Sequence, residues 1–255
     1  MEHVDVLVVG GGSAGLSVSR ELTTRGIEHV VLERGRIGQA WRDRWDSFCL
    51  VTPNWSVRLP GGTYAGDDPD GFMPRDEIVA HLERYAATSG APVREGVAVR
   101  TIDRVADGFV ARTSAGDLHA ARVILCTGAF QRAYRPAGSD SLPAGLRQLD
   151  IEDFRNEASL PPGPVLVVGS GQSGCQLAEE LREAGRDVVL SCGKPRGRRA
   201  GWGAATSSGG WRHRASSTSR SQPCRRLRPA SGRTPWRPAM AAATTSTSGR
   251  SGRWG

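Results

Sequence analysis

The sequence contains no uninterrupted apolar run of about 18 residues, the length that a transmembrane helix needs, which argues against a membrane protein. Its first residues, Met-Glu-His-Val-Asp, carry no cationic stretch, so we expect no secretory signal peptide. The five cysteines are scattered without a CxxC pair, which argues against a zinc site and against a disulfide-exchange centre. These absences favour a cytoplasmic protein with free thiols and no metal site.

Acidic residues are missing from residues 195–255, although this stretch contains 13 arginines. The first 194 residues carry 21 basic and 26 acidic groups, a net charge of −5, so the overall charge of +8 belongs to the tail. The tail has Leu227 as its only leucine, isoleucine or valine. Such a segment cannot bury enough apolar area to offset the entropy of ordering it. We therefore predict a disordered basic tail over residues 195–255.

Back-translation of the tail indicates a change of reading frame just after Lys194. In the neighbouring frame, each codon consists of the third base of one printed codon and the first two bases of the next. The codons for Trp and Cys and the TCN codons for Ser begin with T, so T becomes the middle base of the shifted codon. Every codon with T in the middle specifies an apolar residue. The shifted frame restores the aliphatic and acidic residues that the printed tail lacks. The alternative is a natural arginine-rich arm that binds nucleic acid. We favour the out-of-frame tail and expect no nucleic-acid partner.

The N-terminal residues predict a strand–turn–helix–strand unit, the order that a parallel βαβ unit requires. Residues 4–10 are apolar and β-branched, residues 14–25 have helical character, and residues 27–32 form a second apolar run. The same order recurs about 160 residues later, where apolar strands flank a helix at residues 172–184. Its strands are predicted at residues 165–168 and 188–190.

The region between the two units predicts one helix and a β-meander. Residues 75–87 place apolar side chains at helical spacing. Three short alternating runs follow, separated by turn residues, and we expect them to return to the sheet. These runs are residues 97–102, 108–113 and 118–126.

The turn after the first strand carries the pattern G-x-G-x-x-G, which is typical of dinucleotide binding when a strand precedes it and a helix follows. The first glycine permits a tight turn, the second lets the backbone approach a pyrophosphate, and the third lets helix and strand pack closely. The predicted phosphate-contacting residues are Gly10, Gly12, Ser13, Ala14 and Gly15. Glu33 ends the second strand, where a carboxylate accepts ribose hydroxyls. We interpret this unit as the site for the ADP part of FAD.

The second copy of the motif begins a second predicted nucleotide site, at Gly169, Ser170, Gly171, Gln172, Ser173 and Gly174. Its second strand ends without an acidic residue and is followed by Lys194. A cation in place of the carboxylate favours a 2′-phosphate, and therefore NADP(H) over NAD. The alternative is an adenosine site for another ligand.

With these motifs in place, the sequence resembles the flavin-containing monooxygenase-like oxidoreductases, specifically the bacterial members that depend on FAD and NAD(P) and have no assigned substrate. The resemblance covers essentially residues 4–194 and is carried by residues 38–42, 45–55, 64–72 and 125–128 beside the two glycine motifs. It implies further FAD contacts from Arg34, Gly38, Trp41, Thr127 and Gly128. It also implies that Asn54 is a catalytic residue near the reactive face of the flavin. The alternatives are a core role for Trp41 and a turn role for Asn54.

The predicted fold class is α/β, with two dinucleotide-binding, Rossmann-like domains of which the NADPH domain is inserted in the FAD domain. We expect residues 1–140 to form most of the FAD domain and residues 141–163 to connect it to the second. Residues 164–194 would begin the NAD(P)H domain.

The resemblance implies an FAD-dependent, NADPH-using oxidoreductase, a monooxygenase that forms a C4a-(hydro)peroxyflavin with dioxygen and oxygenates a small organic substrate. One departure weakens this prediction. The fingerprint F-x-G-x-x-x-H-x-x-x-[FY], aligned on Phe154, finds Ala144, Leu146 and Asp150 at its other positions. Two alternatives therefore stay open, a flavin-dependent dehydrogenase or oxidase that does not oxygenate, and an inactive remnant that at most binds FAD.

Overall fold

The computed structural model describes residues 1–129 and 132–193, and it begins with the predicted βαβ unit. This unit consists of β1 (Glu2–Val9), α1 (Ser13–Thr24) and β2 (His29–Leu32). Strands β1 and β2 pair in parallel. The side chains of β1 from Val6 onward are buried on both sides, as in the centre of a parallel sheet. The predicted unit is confirmed, although β1 begins two residues earlier and β2 two residues later than the pattern indicated.

A six-stranded mixed sheet is built around β1, in the order β5-β2-β1-β8-β7-β6. Strand β8 runs antiparallel to β7 and then parallel to β1, so the predicted meander does return to the sheet. The elements between β2 and the end of this sheet are α2 (Gln39–Arg42), β3 (Arg58–Leu59), β4 (Gly62–Thr63), α3 (Arg75–Ser89), β5 (Val93–Arg94), β6 (Val99–Val105), β7 (Gly108–Thr113) and β8 (Gly116–Leu125).

Helix α3 covers the apolar interior beside α1 and α2. It follows Pro74, has Asp76 in its first turn, where a negative charge suits the helix dipole, and stops at Gly90. Gly90 has φ +63°, the left-handed conformation common at helix ends. The buried side chains fall at helical spacing, as the sequence predicts; they are Ile78, Val79, Leu82, Tyr85, Ala86 and Ser89.

The second βαβ unit consists of β9 (Val165–Val168), α4 (Gln172–Glu183) and β10 (Val188–Ser191). Its two strands pair in parallel, which confirms the prediction. One face of this small sheet packs on the core through Val165, Val167 and Val188. On the other face the side chains of Leu166 and Val189 are exposed.

A single apolar cluster joins the two units. Trp45, in the segment after α2, is completely buried in this cluster, which also contains residues of α1, α3 and α4. The buried members of the cluster are Leu16, Trp45, Phe48, Met73, Ile78, Leu82, Tyr85, Ala86, Phe154, Leu177 and Leu181. The second unit is therefore packed against the first by buried side chains and not only tethered to it.

Lys194 and the predicted tail at residues 195–255 lie outside the described residues. Within the described ranges, no helix is both long enough and apolar enough to cross a membrane. The same ranges contain no group of three or more His, Cys, Asp or Glu side chains that could hold a metal ion. The insertion of one domain in the other and the proposed domain boundaries stay predictions.

Candidate functional site

The first glycine turn lies between the end of β1 and the start of α1. Gly10 has φ +111°, and a Cβ on it would lie 2.4 Å from the carbonyl oxygen of Cys126. A Cβ on Gly15 would lie 1.8 Å from the carbonyl oxygen of Gly10. By contrast, a Cβ on Gly12 would meet no atom within 4 Å. The outer glycines are thus required by packing within the protein, whereas the middle one faces open space.

The N-terminus of α1 opens onto that space. The first intrahelical hydrogen bond runs from Leu16 N to Gly12 O, and Gly12 provides no side-chain cap. The preceding N–H groups of the first turn, including those of Ser13 and Ala14, have no partner within the helix. Free N–H groups at the positive end of a helix dipole suit a phosphate. The residues therefore fit the pyrophosphate of a dinucleotide.

Glu33 closes the turn from the end of β2. Its side chain is buried, and its carboxylate accepts hydrogen bonds from Gly11 N at 2.7 Å and Gly35 N at 2.9 Å. A carboxylate offers about four acceptor positions. Glu33 can therefore accept ribose hydroxyls while it keeps its backbone partners. Arg34, the next residue, is exposed.

The segment around Gly38 contacts the glycine turn directly. Gly38 N donates to Gly11 O at 3.3 Å, and Gly38 itself adopts φ +71° at the start of α2. Trp41 on α2 is half-buried, with its ring centroid 5.7 Å from that of Phe48. The structure thus brings Gly38 to the predicted site, and it also gives Trp41 the core contacts of the alternative interpretation.

The end of β8 forms the other wall of the turn. Cys126 N donates to Val9 O at 2.8 Å, which aligns the two strand ends. Burial raises the pKa of the Cys126 thiol, so this thiol is neutral at pH 7. Thr127 and Gly128 follow and are exposed, with Gly128 at φ +75°. Both predicted residues therefore lie at the same end of the sheet as Gly10.

Asn54 begins a short 3₁₀ helix, Asn54–Ser56, and is buried. Its backbone N donates to Gly71 O and its side-chain Nδ2 donates to Asp68 O, each at 2.9 Å. Its Oδ1 is buried and has no hydrogen-bond partner among the described residues. Gly71 N donates to Asp68 O at 3.2 Å, and the turn that this bond closes thus fixes the Asn54 amide.

The second glycine turn repeats the geometry of the first. Gly169 has φ +109°, and a Cβ on Gly174 would lie 1.9 Å from Gly169 O. A Cβ on Gly171 would meet no atom within 4 Å, and this residue precedes α4 without a side-chain cap. The open position and the helix N-terminus, with Ser170, Gln172 and Ser173 beside them, again fit a pyrophosphate. The strand that follows, β10, ends at Ser191 without an acidic residue.

A cavity that the sequence did not predict lies between α3 and the β3–β4 hairpin, with a volume of about 610 Å³. Its lining includes Tyr64, Asp67, Met73, His81 and Arg84. Burial, and secondarily the charge of Arg84, lowers the pKa of His81 below its ordinary value. The cavity has the size of a site for a small organic molecule. Asp67 belongs to the loop that holds Asn54, which connects the cavity to that residue.

Comparison with known proteins gives matches along most of the described chain. A family model described as pyridine nucleotide-disulphide oxidoreductase matches residues 7–201. An uncharacterized CzcO-like oxidoreductase of Geobacillus kaustophilus is 39% identical over 195 residues, which are 76% of this chain and 56% of that protein. The indole-3-pyruvate monooxygenase YUCCA1 of Oryza sativa subsp. japonica is 27% identical over 180 residues, 69% of this chain and 44% of that protein.

Among solved structures, the flavin-containing monooxygenase from Stenotrophomonas maltophilia is similar, with a TM-score of 0.67 and 28% identity. The match covers 75% of this chain and 58% of that one. The chain thus spans about half the length of the relatives it matches.

Proposed function

The chain belongs to the pyridine nucleotide-disulphide oxidoreductase family, and on that premise we propose that it is an FAD-dependent, NADPH-using monooxygenase of a small organic substrate. The observation that carries the proposal is the pair of glycine turns with one geometry, in which Gly12 and Gly171 each face open space. Only the first turn is followed by a carboxylate, that of Glu33. This difference favours FAD at the first turn and NADPH at the second.

Several residues have specific roles under this proposal. The N–H groups at the start of α1 bind the FAD pyrophosphate, and Glu33 accepts its ribose hydroxyls. The start of α4 binds the pyrophosphate of NADPH in the same way. The bound FAD supplies hydride acceptance and activation of dioxygen.

Asn54 acts through its side-chain oxygen. Because Nδ2 is committed to Asp68 O, the amide cannot turn over without losing that bond, and Oδ1 stays an acceptor. An unpartnered buried acceptor costs free energy until a donor reaches it. We assign to Asn54 Oδ1 a hydrogen bond from a donor on the bound flavin or on the substrate, which orients that group.

The substrate would occupy the cavity beside α3. The rice relative is named for a monooxygenase that acts on indole-3-pyruvate, an aromatic molecule with a carboxylate. Arg84 lines the cavity and forms no ion pair with a described residue, so a carboxylate would find a cation there. Tyr64 and Met73 provide apolar and aromatic surface for the rest of the molecule.

The test is direct measurement on the purified chain. Titration with FAD should give a bound flavin. Anaerobic mixing with NADPH should then remove the visible absorption of this flavin, and this loss should be faster than with NADH. When labelled dioxygen is then admitted, one labelled oxygen atom should appear in the product of a carboxylate-bearing aromatic substrate. A flavin that never binds would contradict the proposal.

A second candidate is a flavin-dependent dehydrogenase or oxidase, and the departure from the monooxygenase fingerprint favours it. Asp150, where that fingerprint has histidine, accepts both arms of the Arg135 guanidinium, at 2.9 and 2.8 Å. This enzyme would reduce its flavin with no labelled oxygen in the product. A chain that binds FAD and is not reduced by either nicotinamide would instead be the inactive remnant.

A further inference from the structure

A hydrogen bond joins Trp45, in the segment after α2, to Glu180 on α4. The indole Nε1 of Trp45 donates to Glu180 Oε2 at 3.0 Å, across 135 positions of the sequence. Trp45 is completely buried, and Glu180 is half-buried on α4, the helix that also carries the buried Leu177 and Leu181. A buried indole N–H needs an acceptor, because leaving it unpaired costs free energy.

Continuous contacts connect this hydrogen bond to the first glycine turn. The rings of Trp45 and Phe48 meet edge to face at 4.9 Å, and Phe48 is 5.7 Å from Trp41 on α2. Gly38 is the N-cap of α2, and its N–H donates to Gly11 O in the glycine turn. At the other end of this series of contacts lies α4, the helix that follows the second glycine turn.

We propose that Glu180 is a positioning residue: its hydrogen bond to Trp45 fixes α4, and with it the second glycine turn, relative to the first. This inference rests on the proposed function, because the distance that it fixes is that between NADPH and FAD. Apolar contacts in the shared core hold α4 against the first unit without a preferred direction, whereas the hydrogen bond is directional. A small displacement of reacting groups lowers a rate strongly without a matching loss of affinity.

The variants needed to test it are single changes at the two partners. Glu180→Ala removes the acceptor, whereas Glu180→Gln keeps an oxygen in nearly the same place. Trp45→Phe keeps an aromatic ring and removes the donor. Glu179→Ala is the matched control, since Glu179 is the neighbouring carboxylate on α4 and makes no hydrogen bond with Trp45.

Two readouts separate positioning from folding. Anaerobic mixing of each FAD-loaded chain with rising NADPH concentrations gives the rate constant of flavin reduction and the dissociation constant of NADPH separately. Hydrogen exchange of the α4 amides, measured on the chain without nucleotides, reports how firmly this helix is held.

Glu180→Ala and Trp45→Phe should slow flavin reduction about tenfold. The dissociation constants of FAD and NADPH should stay unchanged, and Glu180→Gln and Glu179→Ala should behave as the wild type. The amides of α4 should exchange faster in Glu180→Ala and in Trp45→Phe, and at the wild-type rate in Glu180→Gln and Glu179→Ala. A wild-type reduction rate in Glu180→Ala would overturn the inference and leave the proposed function intact. If NADPH does not reduce the flavin of the wild type, the proposed function fails. In that case hydrogen exchange still tests the inference, and equal exchange of the α4 amides in Glu180→Ala and Glu179→Ala would overturn it.

Discussion

Replacing Gly12 by alanine should weaken FAD binding strongly and leave the fold intact. A Cβ at this position meets no atom within 4 Å, and the backbone, at φ −87° and ψ −172°, is open to alanine. Gly12 is the N-cap of α1, where alanine is worse than glycine by up to about 1 kcal/mol. The lower entropy of the unfolded alanine chain offsets about 0.4–1 kcal/mol of this. The free energy of unfolding should therefore change by less than about 1 kcal/mol.

The effect on the ligand should be much larger. A phosphate oxygen bound to a helix N–H lies about 2.9 Å from the nitrogen. The new methyl group of Gly12→Ala needs about 3.5 Å of separation from that oxygen. Loss of one charge-assisted hydrogen bond costs about 1.5–3 kcal/mol. That range corresponds to a rise of about 10- to 150-fold in the Kd for FAD, since each 1.4 kcal/mol is tenfold.

Flavin fluorescence titration measures this Kd, and thermal unfolding followed by circular dichroism measures the fold. Gly15→Ala is the control, because its Cβ would lie 1.8 Å from Gly10 O and must displace backbone. It should lower the free energy of unfolding by about 1–3 kcal/mol. Wild-type FAD affinity in Gly12→Ala would refute the assignment of this turn to the pyrophosphate, as would a loss of stability equal to that of Gly15→Ala.

Three further predictions concern charge and hydrogen bonding. Burial lowers the pKa of His81 below 6.5, so the folded state takes up its proton less readily than the unfolded chain. The contribution of His81 to the free energy of unfolding should therefore be constant above about pH 6.5 and fall below it. His81→Phe should reduce that fall, as measured by thermal melts at several pH values. Arg186 donates to Glu157 and to three backbone carbonyls of the connector. Arg186→Ala should cost about 1–2 kcal/mol in urea unfolding, since the half-buried Glu157 and Leu160 acceptors lose a charged donor, and an unchanged midpoint would contradict this. Glu33→Gln should raise the Kd for FAD about tenfold, because a ribose hydroxyl loses a charged acceptor, whereas exposed Glu21→Gln should not.

Both βαβ units and the meander were predictable because their helices extend over more than one turn and their strands over several residues, which is long enough to show a periodic pattern. The glycine turns were equally visible, since a positive φ at Gly10 and Gly169 leaves glycine as the suitable residue. The bounds moved by up to three residues, where pairing partners extend or shorten a strand. Helix α2, the β3–β4 hairpin and β5 were missed, because two to four residues are too few to show a period.

The contacts that define the site were less accessible. No local pattern connects Asn54 to Asp68, or Trp45 to Glu180, because these partners meet only after the chain has folded. The sequence does not decide between a core role and a cofactor role for Trp41, and its half-buried position agrees with both. Lys194, on which the preference for NADP(H) rests in the sequence, lies outside the described residues.

The two glycine turns have distinct proposed roles: the first holds FAD, and the second holds the NADPH that reduces it. Anaerobic titration of the purified chain, first with FAD and then with NADPH or NADH, tests these roles most directly. We expect one bound FAD per chain, loss of the flavin absorption with NADPH, and slower loss with NADH. A chain that is folded by circular dichroism and retains no FAD would contradict the first assignment, and an FAD-loaded chain that NADPH does not reduce would contradict the second.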